Sequence, residues 1–475
     1  MVSPAVAPVS LSSSLSRAVL SLALPALFQQ YLHLLVRLSD QFLADRFPLD
    51  DSTQRPYYLA ALTTAGYIYW FISSYTVLVS VGATALVARA IGARDQPLAW
   101  RVTAQAVFLA GFFGLLGTVA AGVGLPGLMH LLQLEGLTAR FAIAFLTPLA
   151  WLLPFQMIET ACTACLAGAG DTRTGLHVLG GVALLNLPLA WLLCFGVPPL
   201  WNGLGFVGIA WGTGLAHTLG CVILLMLLIR GRSGLRLQQQ HLWPNGSLIR
   251  RLLRVSVPAA VDSLSMALCQ FWFLSVVNRL GATAAAAHGI ALQWEALAYL
   301  AGGAFGTAAM TLVGQNLGAF QPQQASRAAW VAWGQGAALM CLMGLVFVLA
   351  AEPMFQLFCH EADTQAVIET GVPVLQLISL AMPALAAQII FTAALRGAGD
   401  VRVPVLITWF GFLGIRLPLA HLLAWPEIHL PTGMRLPACD LGLRGAWIAM
   451  VIDLWIRGLL LTWRFAAGHW RHIHV

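Results

Sequence analysis

Of the 475 residues, 59% are hydrophobic and only 9% are charged, against about 25% charged in an ordinary soluble domain, and this excludes a soluble globular protein. The formal net charge of +7 comes from arginines in short segments between apolar runs, where they read as topology signals and not as a nucleic-acid surface. The 45 Gly and 23 Pro fit the same class, because membrane helices tolerate both better than soluble helices do.

A helix needs about 20 apolar residues to cross the hydrocarbon core. Twelve stretches qualify in chain order, at roughly 18–44, 58–86, 102–125, 141–166, 176–200, 205–229, 255–279, 283–313, 327–350, 371–395, 403–426 and 441–465. The first 16 residues carry no positive charge and no small-residue cleavage site follows, so the first run is expected to stay as a helix. The segments holding Arg89, Arg94 and Arg101, and then Arg230, Arg232, Arg236, Arg250, Arg251 and Arg254, belong to one side. The segment 351–370, with Glu352, Glu361, Asp363 and Glu369, belongs to the other. The positive-inside rule then predicts both termini and the 230–254 loop in the cytoplasm.

Ionisable and polar residues at membrane depth are the candidate functional groups. In helix 1, Gln29 or Gln30, His33, Arg37 and Asp40 fall at steps of three or four and share a face. Arg37 and Asp40 also read as a static ion pair. Helix 2 offers Tyr67, Phe71 and Tyr75, aromatic faces suited to lipophilic cations in a substrate cleft. Glu159 in helix 4, Asp262 in helix 7 and Glu295 beside Gln293 and Trp294 in helix 8 read equally as cation or substrate contacts and as structural hydrogen-bond partners. Asp453 has Arg457 one turn later and reads as structural, as does Arg416 paired with an acid or with helix-end carbonyls. His217, His288 and His421 look isolated and buried. Cys162 and Cys165 form a CxxC without a completing metal set, which favours packing. Cys359 and Cys439, on the outer side, leave a disulfide open.

Landmarks recur at a nearly constant interval. Pro25 returns as Pro258, Pro154 as Pro383, LAGAGDTR at 166–173 as LRGAGDVR at 395–402, and LPLA at 187–190 as LPLA at 417–420. Glu159 answers to Gln388 at the same interval, so both halves are expected to present polar groups to one cleft. Each half holds an even number of spans, so the repeats are parallel, with substrate bound between them. The division is 1–229 as a six-helix lobe, 230–254 as a basic cytoplasmic linker and 255–475 as a second six-helix lobe.

The motifs themselves, LALP with a downstream aspartate, AGAGDTRTG, VGQNLGA, LRGAGDVRVPV, IRLPLA and GLRGAWIAM in that order, resemble the multidrug and toxic compound extrusion (MATE) family and in particular its DinF-like bacterial branch. The resemblance implies an all-α membrane protein with twelve transmembrane helices in two V-shaped lobes. It also implies a multi-pass protein of the inner (plasma) membrane that exports amphipathic cationic or neutral compounds in exchange for H⁺ or Na⁺. It places Asp40 at the family's cation-coupling position and Asn186 at a second polar position of that site. Ala190 stands where some members carry another carboxylate, which disfavours Na⁺ and favours a protonation switch. Asp262 falls where related sequences place an acid. The resemblance further implies a monomer in membrane lipid, small-molecule substrates, no cofactor beyond the coupling ion and no nucleic acid. A flippase of a lipid-linked precursor, from a related branch, is the alternative, and its pyrophosphate cargo would want an arginine-rich cavity. GRSG at 231–234 mimics a rhomboid protease motif but lies in a basic loop, and no HExxH occurs, so an enzyme is not expected.

Overall fold

The computed structural model describes residues 15–46, 55–131, 136–197, 200–359, 365–429 and 435–473, with the side chains at 45–46, 55–73, 131, 428–429 and 435–436 outside the described part. With no water in the bilayer core to satisfy backbone N–H and C=O groups, each span must satisfy them within itself. The described chain is accordingly almost all helix. The spans are α1 (Leu15–Arg46), α2 (Arg55–Gly92), α3 (Gln96–Leu131), α4 (Gly136–Trp151 with Leu153–Gly168), α5 (Thr172–Phe195) and α6 (Phe206–Ile229). The second set is α7 (Gly246–Asn278), α8 (Ala282–Gly318), α9 (Pro322–Leu349), α10 (Gln365–Ser379 with Met382–Gly397), α11 (Arg402–Ala424) and α12 (Gly442–Ala466).

Two spans expected to be continuous are broken: the halves of α4 meet at 52° and those of α10 at 57°. The cause is local. Pro154 and Pro383 sit in the first turn of the second half-helices, where the ring rejects the preceding carbonyl and a missing N–H costs nothing. The hinge residues Leu152 (φ −93°, ψ 2°) and Ala381 (φ −93°, ψ −2°) have the same conformation, so the repeat extends to backbone angles. It continues in the turn after each broken helix, where Gly170 (φ 90°) and Gly399 (φ 86°) take up left-handed angles that a side chain would resist.

The chain divides into two compact units. The first runs Leu24–Ser256, and the second comprises Val257–Val475 with the opening turns of α1 through Ala23. Both changes of unit fall just before the repeat prolines, Pro25 and Pro258. Residues of the 230–245 segment are fastened to the first unit. The fully buried Gln105 donates to His241 O and Trp243 O and accepts from Asn245 N, at 2.7, 2.8 and 2.9 Å. In the second unit an aromatic stack of Trp330, Phe391, Phe465 and Trp470 ties α9, α10 and α12 together. α11 contains a π-helical turn, Phe410–Arg416. A two-stranded antiparallel hairpin, Glu427–His429 with Arg435–Pro437, precedes α12. Cys359 and Cys439 are free thiols.

Candidate functional site

In the first unit, α1, α5 and α6 bring Asp40, Asn186 and Thr213 into one hydrogen-bonded chain. Thr213 Oγ1 donates to Asp40 Oδ2 at 2.7 Å and accepts from Asn186 Nδ2 at 2.8 Å. Ser39 Oγ donates to Asn186 Oδ1 at 3.3 Å. Asn186 is fully buried, and Asp40 Oδ1 is enclosed without a partner. Arg37 is exposed, and no Arg37–Asp40 pair occurs among the described residues, so the static ion pair is not formed. Ala190, one turn after Asn186, lies in an apolar cluster with Leu43, Phe145 and Phe206. Helices α5 and α6 approach so closely there that a Cβ on Gly212 would lie 2.5 Å from Ala190 Cα.

One turn along α6 from Thr213, His217 Nδ1 lies 2.7 Å from Glu159 Oε2 of α4, with both side chains buried. His33 of α1 stacks on His217 with ring centroids 6.0 Å apart. His217 is therefore not isolated, and Glu159 is turned to a partner within its own unit. A recess at the α4 break is lined by Leu149, Leu152, Gln156, Thr213, Gly214 and His217. Of the helix 2 aromatics, Tyr67 and Phe71 lie outside the described side chains, while Tyr75 donates to Phe113 O at 2.9 Å and meets its ring edge-on.

In the second unit, Asp262 of α7 is buried and paired with Arg396 of α10 at 2.6 Å. Glu295 and Gln388 are buried with Oε2 and Oε1 unpartnered, while Gln293 is exposed. Asp453 is clamped between two arginines. Arg416 Nε lies 2.8 Å away on one side and Arg457 makes contacts of 2.8 and 2.5 Å on the other. The π turn aims Arg416 at this acid, and Phe412 lies under both guanidiniums at 4.3 and 4.6 Å. His288 accepts from Trp447 Nε1 at 3.1 Å and His421 bonds Leu417 O at 2.7 Å, so those two histidines are satisfied structural groups. Asp40 differs in that its hydrogen-bond partner is neutral: such a carboxyl can gain or lose a proton, whereas an acid gripped by arginine is held in one state.

The family model MatE matches residues 25–192 and again 258–422, two stretches that open on the two repeat prolines. The chain belongs to the MatE family. As a MatE protein it is a multi-pass membrane transporter and not an enzyme. It is 27% identical over 458 residues to a probable multidrug resistance protein NorM of Thermotoga maritima, covering 96% of this chain and 93% of that one. It is also 27% identical over 469 residues to the multidrug resistance protein PmpM of Pseudomonas aeruginosa, covering 96% and 92%. Among solved structures, a MOP superfamily transporter from Pyrococcus furiosus superposes with a TM-score of 0.86 at 20% identity, covering 96% of this chain and 97% of that one. This MatE chain therefore shares their fold of two repeated lobes.

Proposed function

We propose that the protein is a secondary active antiporter of the inner membrane that exports amphipathic cationic or neutral organic compounds in exchange for protons. It acts as a monomer with both termini in the cytoplasm. The names of the multidrug resistance relatives support the cargo class. The observation that carries the coupling reading is the Asp40–Thr213–Asn186 chain, a buried carboxyl with neutral partners. Proton coupling is favoured over sodium because Ala190 sits in close-packed apolar surroundings where a second carboxylate would stand, and a Na⁺ site wants several oxygen ligands. Attraction for cations rests on Asp40 and Glu295, since Asp262 is paired with Arg396. The flippase alternative is disfavoured because Arg396 and Arg416 are engaged by Asp262 and Asp453 instead of standing open to a pyrophosphate. The test is Asp40→Asn, with ethidium as cargo. The variant should reach the membrane at wild-type level and lose gradient-driven efflux, and undiminished efflux would overturn the assignment.

A further inference from the structure

We propose that Glu159 and His217 form a second proton-carrying site in the first unit, taking the place of the carboxylate absent at Ala190. The inference rests on the coupled-antiport reading of Asp40 and extends it to residues that the Asp40 network does not contain.

Four observations meet at the pair. Glu159 Oε2 and His217 Nδ1 are 2.7 Å apart with their side chains 4% and 6% exposed. Glu159 Oε1 is enclosed and unpartnered. Gly220, one turn further along α6, leaves the room for it, since a Cβ there would press on that same oxygen. Thr213 and His217 are four residues apart on α6, so one helical face carries both Asp40's donor and Glu159's partner.

Charge accounting explains why such a pair can do a carboxylic acid's work. Holding one proton between them, glutamate and histidine are together neutral, and releasing it leaves a single buried negative charge. Those are the two charge states of an aspartic acid. Groups this close titrate as a unit. The titratable side chains facing the pair are His33 and Asp40 of the neighbouring α1, and Cys162 of α4 and Cys221 of α6 on the pair's own helices. With both sites loaded the network is neutral. With both unloaded it carries two negative charges, a state that a cationic substrate stabilises and that entering protons discharge.

The test counts protons. Purified full-length protein at about pH 6, in weakly buffered detergent solution with a pH-indicator dye, is mixed with ethidium and the protons released per chain are measured. Wild type should release two. Glu159→Gln, His217→Gln and Asp40→Asn should each release one, and Asp40→Asn with Glu159→Gln none. Release of one proton by wild type, which requires no variant to fold, overturns the proposal, as does release of two by Glu159→Gln. If Asp40→Asn alone keeps the full count, the Asp40 assignment fails while the count for Glu159→Gln still decides the second site.

Discussion

Thr213 holds the proposed coupling site together because a single hydroxyl serves two partners, donating to Asp40 and accepting from Asn186. Removing it strips a charge-assisted hydrogen bond from the carboxyl and leaves a buried amide N–H unpaired, each worth about 1–3 kcal/mol. Thr213→Val should therefore shift the pH at which ethidium transport is half-maximal and slow it roughly tenfold or more, whereas Thr213→Ser should restore both. A normal pH profile in Thr213→Val would separate Thr213 from coupling. Asp262 makes the opposite prediction. Breaking a buried ion pair from one side costs about 3–5 kcal/mol because the remaining charge is uncompensated. Asp262→Asn should thus lower the unfolding temperature, and Asp262→Asn with Arg396→Gln should recover much of the loss. Asp40 was legible in the sequence because four polar residues mark one face of α1. His217 was not, since a single histidine in an apolar helix has no spacing partner, and the useful signal was its position four residues after Thr213. Arg396 was hidden inside a repeat motif that reads first as a turn.

The turns after the two broken helices carry equivalent fastenings. Asp171 caps α5 by accepting from Thr174 N at 2.9 Å, accepts from the Ser233 hydroxyl, and forms an ion pair with Arg232 at 3.6 Å, both beyond the end of α6. Asp400 is paired with Arg464 near the end of α12 at 2.8 Å. Burial alone would raise the Asp171 carboxyl, but the hydroxyls of Ser233 and Thr174 and the Arg232 charge outweigh it and hold the group below its ordinary range. A depressed carboxylate contributes stability that is complete above the unfolded value and is lost as pH falls through the folded one. Asp171→Asn should consequently unfold at a lower temperature than wild type near neutrality, with the difference closing below about pH 4. Tryptophan-fluorescence melting across that range checks the sign, and a gap that ignores pH would show that the cap acts through shape alone. The breaks in α4 and α10 escaped the hydropathy pattern because the chain stays apolar through Leu152 and Ala381. Pro154 and Pro383 were visible as repeat landmarks, and their power to break a helix was the part left unread.

For the whole molecule the repeat was the most legible feature, since motif spacing alone marks it, and the hinge angles and the two family-model matches agree with it. The orientation proposed from the arginine distribution predicts that the exposed, free Cys439 reacts in intact cells with a membrane-impermeant maleimide. Labelling only after the membrane is breached would invert the topology. A carboxyl with neutral partners, and no second carboxylate at position 190, is proposed to make this a proton-driven exporter. Uptake of ethidium into inside-out vesicles, with the membrane potential clamped and proton and sodium gradients imposed separately, tests it most directly. Uptake should follow the pH gradient and be indifferent to sodium, and a rate that rises with a sodium gradient at fixed pH would make sodium the coupling ion instead.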